Sequence, residues 1–138
     1  MISKTYHTKD NRPSKLEDEF KQIAIDFDGV IHRCSKGFHD GTIYDPPIEG
    51  SLESVREIAS KYIVVVYSAK ARSDRPLVNG KTGIELIWEW LEKFGFAEYV
   101  SEVTSEKPRA ICYIDDRAVK FDTWDETMDL LRDKRVLN

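Results

Sequence analysis

The sequence has little of what marks a secreted or membrane-spanning chain. Only two cysteines occur in 138 residues, Cys34 and Cys112, and they form no CxxC pair. This argues against a disulfide framework and against a zinc site of their own. No apolar run approaches membrane-spanning length, and the N-terminus carries no signal-like segment. We therefore expect a cytoplasmic protein, with Cys112 as a small core residue because it lies in an apolar run.

The charge balance favours no particular class of partner. The chain has 21 basic and 25 acidic residues, a formal net charge of -4, which is no general reason to expect a nucleic-acid binder. A local basic run lies in the loop that contains Lys70, Arg72, Arg75 and Lys81. Such a run is usually solvated surface, but it is also suited to guide a polyanion.

Length and composition predict one globular domain. Hydrophobic residues make up 41% of the chain and charged residues 33%, which is ordinary for a globular protein. A chain of this length buries a core without disulfides. We expect a polar leader over residues 1–19 and a single domain over residues 20–138.

Strand and helix patterns alternate along this domain. Continuous apolar runs predict buried strands at residues 23–27, 63–67 and 110–114, with a weaker candidate at 99–103. Residues 50–62 and 83–95 show helical spacing, and Thr123 with Glu126 fits a capping box before a last helix. The order predicts an α/β fold with a mainly parallel sheet. Ligands of such sheets bind at the carboxyl ends of the strands.

Polar side chains follow the predicted strands at those ends. They are Asp26 and Asp28 after the first strand, Ser68 after the second, and Asp115 and Asp116 after the last. Lys107 precedes the last strand, and Lys70 and Arg109 compete with it as the cation of the site. Carboxylates alone fit a capped turn or a helix N-cap. Together with the hydroxyl and the ammonium they predict phosphoryl transfer around a hard cation such as Mg²⁺.

The same residues, in the same order, resemble the haloacid dehalogenase-like (HAD) phosphohydrolases. "DFDGV" is similar to the first motif of that family, Ser68 in "VVVYSAK" to the second, Lys107 in "SEKPRA" to the third, and "YIDDR" to the fourth. The resemblance covers roughly residues 20–135. It implies a three-layer, Rossmann-like fold around the sheet.

The resemblance implies a role for each acidic residue. Asp26 would be the nucleophile and a metal ligand. Asp28 would be the general acid and base, with its backbone carbonyl on the metal. Asp115 and Asp116 would complete the Mg²⁺ shell, and which of the two binds directly stays open.

The resemblance also implies the substrate contacts. Ser68 and Lys107 would act in catalysis by holding the phosphate, with Gly29 and Ala69 lining the site. Arg117 would either touch substrate or bridge to an acid.

The chain resembles members of the family that have no cap domain. The segment from Asp28 to the helix near Ser51 is too short for a folded cap. Capless members have open sites, act on large substrates or cover the site with a neighbouring subunit. Residues 31–47 would form a short flap, in which we expect His32 and His39 to have surface or packing roles.

The sequence therefore predicts a Mg²⁺-dependent phosphatase that hydrolyses a phosphate monoester through an aspartyl-phosphate on Asp26. The substrate would be a small molecule or a nucleic-acid end, without a membrane partner, and a homo-oligomer would cover the open site. A nucleotide or nucleic-acid-end phosphatase stays open because "DDR" and the capless build resemble such enzymes. A non-catalytic phosphate- or metal-binding signalling module is the alternative of another class. Receiver domains, however, carry the acidic pair first, whereas here the DxDG comes first.

Overall fold

The computed structural model describes residues 21–137, so the predicted leader lies outside the described residues. Along the chain the elements are β1 (Gln22–Asp26), α1 (Ser51–Ala59), β2 (Ile63–Tyr67), α2 (Gly83–Lys93), β3 (Glu102–Thr104), β4 (Cys112–Ile114) and α3 (Trp124–Asp133). Short 3₁₀ turns cover Ala69–Ala71 and Ala97–Tyr99. The predicted strands and helices are confirmed within a few residues. The weak fourth strand begins later than expected, because residues 97–99 form one of these turns.

The four strands form one parallel sheet in the order β3-β2-β1-β4. β1 lies between β2 and β4, with Asp26 opposite Tyr67 and Ile25 opposite Ile114. The carboxyl ends of these strands therefore lie together along one side of the sheet. This confirms the prediction of an α/β fold with a parallel sheet.

The core lies between the sheet and helices α1 and α2. Ile25, Val64 and Val66 of the central strands pack in one cluster with Ile87 and Leu91 of α2. These five side chains are almost completely buried. Each contributes about 1.5–3 kcal/mol to folding through removal of apolar surface from water. The helical spacing read from residues 83–95 is thus the spacing of the buried face.

Helix α2 is delimited by local capping interactions. The Thr82 side chain accepts a hydrogen bond from the Glu85 N–H, and the Glu85 carboxylate accepts one from the Thr82 N–H. This reciprocal capping box satisfies two backbone donors at the first turn. After the helix, Gly95 adopts φ +84°, and Phe96 N–H closes the last turn on the Leu91 carbonyl. At the start of α3, Thr123 accepts from the Glu126 N–H, which is one of the two hydrogen bonds of the predicted capping box.

The expectation that Cys112 lies in the core is wrong. Cys112 is exposed, and so are its neighbours Ile111 and Tyr113. The reason is the strand order: β4 is at the edge of the sheet and pairs with β1 alone. An apolar run does not tell an edge strand from a central one. Within residues 21–137, no helix has the length and apolar character needed to cross a membrane.

The predicted flap, residues 31–47, folds back over the end of β1 without forming a helix or a strand of its own. Isolated bridges join His32 to Asp28 and to Pro47, and the Ile48 N–H donates to the Ile31 carbonyl. From α2, the Trp90 Nε1–H donates to the Asp45 carbonyl at 2.9 Å. Both ends of the flap are thereby fixed against the body of the protein.

Candidate functional site

The candidate site lies where β1, β2 and β4 end side by side. Asp26 is the last residue of β1. Ser68 follows β2, and Asp115 with Asp116 follows β4. The parallel pairing with β1 in the centre brings these positions together, although they are far apart in sequence.

Three carboxylates meet at this edge. One oxygen each of Asp26, Asp115 and Asp116 lies within 4.8 Å of the other two. Burial and the neighbouring Asp115 carboxylate raise the pKa of Asp26 from 3.8 to about 7, and Asp116 and Asp28 add to the repulsion. A group of oxygen donors with this much negative charge fits a hard divalent cation such as Mg²⁺.

Asp115 is held by two hydrogen bonds. The Arg117 backbone N–H donates to Oδ1 at 2.7 Å, and the Tyr67 hydroxyl donates to Oδ2 at 2.9 Å. The Arg117 N–H is the main cause that lowers the pKa of Asp115 below its usual value. Burial, followed by this bond to Asp115, raises the pKa of the Tyr67 hydroxyl. Arg117 therefore acts on the site through its backbone.

Asp28 does not join the three other carboxylates through its side chain. Its Oδ1 lies 2.9 Å from His32 Nδ1 and 3.2 Å from Lys70 Nζ. Burial opposes ionisation of Asp28, but the His32 hydrogen bond and the Lys70 charge outweigh it and lower its pKa. The expected set of four aspartates is thus divided: three form a cluster, and the Asp28 side chain points to a lysine and a histidine.

Gly29 follows these aspartates in a conformation that only glycine adopts readily. Its φ is +84°, and a Cβ atom at this position would overlap the Asp116 carboxylate. The chain therefore needs glycine here for the backbone turn and for the close approach of Asp116.

Ser68 and Ala69 form the turn that follows β2. Ser68 is buried, its Oγ accepts from the Lys70 N–H at 3.1 Å, and its own N–H donates to the Thr104 carbonyl. This leaves the Ser68 hydroxyl hydrogen for another acceptor. Ala69 is exposed and lines a cavity of about 410 Å³ that also reaches Asp28.

The two candidate lysines occupy different places. Lys70 is 3% exposed, and its ammonium contacts Asp28. Lys107 is exposed, with its ammonium 4.3 Å from the centre of the Tyr113 ring, and its charge contributes to the lowered pKa of Asp115. The structure brings Lys70, rather than Lys107, to the DxD motif. The Arg109 carbonyl accepts a hydrogen bond from the side chain of Gln22, the first residue of β1. The backbone of Arg109 therefore lies at the amino ends of the strands, away from the candidate site.

Two polar neighbours of the site were not assigned to it from the sequence. Tyr67 holds Asp115, and the only sequence signal for it is its place as the last residue of the strand that precedes Ser68. His32, for which a surface or packing role was expected, is fully buried and packs against Phe27 and Trp90, and its ring also touches Asp28. His39 is exposed, as expected.

Comparisons with protein-family models, with curated proteins and with solved structures gave no match to this chain. The resemblance to HAD phosphohydrolases therefore stays a prediction that rests on the four sequence motifs.

Proposed function

We propose that the protein is a Mg²⁺-dependent phosphatase of the HAD type that hydrolyses phosphate monoesters. The observation that carries this proposal is the cluster of Asp26, Asp115 and Asp116 at the edge where the strands end. Its oxygen atoms come within 4.8 Å of one another. Buried Ser68 follows Tyr67, which lies opposite Asp26; Lys70 contacts Asp28, and the charge of Lys107 acts on Asp115. This is a set of groups suited to phosphoryl transfer.

In this proposal Asp26 attacks phosphorus, the bond from phosphorus to the leaving oxygen breaks, and an aspartyl-phosphate forms on Asp26. Asp28 gives its proton to the leaving oxygen. It then takes a proton from water, which attacks phosphorus, releases phosphate and restores Asp26. The Ser68 hydroxyl and the Lys107 ammonium hold the non-bridging oxygens, with Gly29 and Ala69 alongside.

Mg²⁺ would be held by Asp26, Asp115 and Asp116 with the Asp28 carbonyl. It would offset the negative charge that these carboxylates and the phosphate bring together. The raised pKa of Asp26 has the same origin, because like charges crowd a partly buried position. Metal binding would keep Asp26 ionised at neutral pH and so available as the nucleophile.

Asp28 needs a proton before it is able to act as an acid, yet Lys70 and His32 favour its ionised form. A phosphate group that draws the Lys70 ammonium toward its own oxygens would remove part of this positive charge. The proton affinity of Asp28 would then rise only when substrate is bound. Lys70 thereby links substrate binding to the acid step.

The proposed enzyme is a capless, three-layer member of this group. Residues 29–50, all of which the structure describes, contain no helix or strand element, and residues 69–107 contribute α2 and β3 to the body of the fold. Neither segment supplies a separate cap. Substrate would reach the carboxylates from the open edge of the sheet, past the flap.

A specific observation favours a polyanionic substrate, such as a nucleotide or a nucleic-acid end. The cavity beside Asp28 is lined by Phe38, Arg72 and Arg75. Arg72 is paired with Asp74, whereas Arg75 stacks on the Phe38 ring at 4.7 Å and donates to the Lys70 carbonyl. On an end-phosphorylated oligonucleotide, we expect activity to fall steeply with salt and with Arg75→Gln. Equal activity on small esters at every salt concentration would exclude this substrate class.

The test of the proposed reaction is hydrolysis of an aryl phosphate with and without Mg²⁺. The variants are Asp26→Asn and, as a matched control, Asp129→Asn, whose carboxylate is exposed on α3. Metal-dependent turnover that Asp26→Asn abolishes and Asp129→Asn retains would establish the activity and its nucleophile. A covalent adduct of one phosphoryl group on the wild type alone would add the intermediate. Mg²⁺ binding without turnover on either ester or oligonucleotide would point instead to a non-catalytic binding module.

A further inference from the structure

His32 is a fully buried histidine that the proposed reaction does not use. Its exposed fraction is 0%. The ring stacks on Phe27 at 5.5 Å and meets Tyr44 and Trp90 edge-on at 5.1 and 5.8 Å. Three aromatic neighbours therefore fix the plane of the imidazole.

Hydrogen bonds at both ring nitrogens determine where the His32 hydrogen lies. Nε2 is 3.0 Å from the backbone nitrogen of Asp45, which carries a hydrogen and is only able to donate. Nε2 must then be the acceptor, so the ring hydrogen is on Nδ1. Nδ1–H donates to Asp28 Oδ1 at 2.9 Å. The contact between His32 and Asp28 is thus a directed hydrogen bond from a neutral ring.

The Nε2 side of the imidazole is bonded to Asp45 of the flap, which is itself bonded to α2. Asp45 gives its N–H to His32 and accepts from Trp90 Nε1 through its carbonyl, at 2.9 Å. Its carboxylate accepts from the Ser35 N–H at 2.6 Å. Asp45 is therefore fixed on three sides, and the position of the imidazole follows from it.

Only one of the two Asp28 carboxylate oxygens takes part in the contact with His32. His32 and Lys70 both contact Oδ1. With Oδ1 restrained from two directions, Oδ2 is the oxygen that remains for the proton exchanged with the leaving group. Lys70 would have to release Asp28 when it turns toward the phosphate, whereas His32 would keep its hydrogen bond to Asp28.

We propose that His32 is a positioning residue for Asp28: it fixes the rotation of the Asp28 carboxylate and couples it to the flap backbone at Asp45. This inference rests on the proposed phosphatase function, because it names the group that orients the general acid and base of that site. A second reading, a metal site of Asp28, His32 and Cys34, has the required proximity. Both His32 nitrogens are already bonded, however, and an ammonium lies on Asp28, so this cluster does not carry a site.

Two substitutions separate positioning from packing. His32→Phe fills the aromatic cavity but has no donor for Asp28. His32→Asn packs poorly, yet its amide nitrogen falls near the position of Nδ1 and is able to donate. We expect His32→Phe to lower kcat on an aryl phosphate by roughly ten- to a hundred-fold with little change in KM. His32→Asn should recover most of the lost kcat, although it should be less stable. His39→Phe is the matched control on the exposed histidine of the same flap.

The proposal would be overturned if His32→Phe kept the wild-type kcat. It would also be overturned if His32→Phe had a higher kcat than His32→Asn, because a role in packing alone predicts that Phe is the better replacement. A second measurement does not need turnover. A long-range ¹H–¹⁵N spectrum of the wild type identifies which His32 nitrogen carries the hydrogen, and the signals lost in His32→Phe assign it among the three histidines. Protonated Nδ1 supports the proposal and protonated Nε2 overturns it. A wild type without phosphatase activity would refute the proposed function, while this spectrum would still decide whether His32 holds Asp28.

Discussion

Asp26→Asn should make the metal-free protein more stable at pH 8 while it removes the proposed activity. The substitution keeps the size of the side chain and the oxygen that accepts from the Phe27 N–H at 2.9 Å. It removes the charge that burial and Asp115 disfavour. If Asp26 has a function, we expect it to be kept although it lowers the stability of the protein.

The sign follows from the raised pKa. Between pH 3.8 and about 7 the folded protein keeps a proton on Asp26 that the unfolded chain has released. The stabilisation is therefore complete below pH 3.8 and is lost as the pH rises through about 7. A difference of about 3 pKa units corresponds to about 4 kcal/mol. Asp26 is only partly buried, so water screens the repulsion, and we expect about 2 kcal/mol in favour of Asp26→Asn at pH 8.

The assay is thermal unfolding in a chelating buffer at pH 8 and pH 5, then at pH 8 with Mg²⁺. We expect Asp26→Asn to unfold about 6 °C higher than the wild type at pH 8, and the gap to narrow at pH 5. Mg²⁺ should stabilise the wild type more than the variant. Asp129→Asn, with an exposed carboxylate, should leave the midpoint nearly unchanged. A variant that is no more stable than the wild type at pH 8, or an equal Mg²⁺ effect on both, would refute the reasoning.

Four further substitutions test residues that contact or act on the aspartates of the candidate site. Lys107→Met should lower kcat/KM at least ten-fold without changing the unfolding midpoint, because Lys107 is exposed. Lys70→Met should lower kcat/KM and also cost about 2 kcal/mol of stability, because it leaves Asp28 without its counter-charge. Gly29→Ala should lower stability by about 1–3 kcal/mol and weaken Mg²⁺ binding in calorimetry, because the added methyl displaces Asp116. Tyr67→Phe should weaken Mg²⁺ binding about ten-fold through loss of its bond to Asp115, with stability nearly unchanged.

The glycine and lysine variants each have a matched control. Gly50 has φ +85° but nothing within 4 Å of an added Cβ, so Gly50→Ala pays the backbone strain alone and should leave Mg²⁺ binding intact. Equal Mg²⁺ affinity in Gly29→Ala and Gly50→Ala would contradict the close approach of Asp116. Lys61→Met, on the surface after α1, controls for loss of a positive charge. Full activity in Lys107→Met would leave Lys70 as the lysine of the site.

Much of the fold was predictable because burial marks the sequence, as continuous apolar runs in buried strands and as helical spacing of apolar residues in helices. The runs at residues 23–27 and 63–67 are the two central strands, and residues 83–95 contain the buried face of α2. Parallel pairing then required that Asp26 and the residues after Tyr67 share an edge. The meeting of Asp26 with Asp115 and Asp116 required in addition that β4 pair with β1, which the strand order of the sheet decides.

The sequence by itself determined which groups come to the strand ends, because the apolar runs fix where each strand ends and the alternation of strands and helices fixes their parallel direction. Only the tertiary structure decided which of these groups touch. Strand order put Cys112 on an exposed edge. The path of the flap buried His32 against Asp28, and the turn after Ser68 brought Lys70 to the same oxygen. Loops have no burial period, and their contacts depend on what the packed elements leave open to them, so no reading of neighbouring residues predicts these partners.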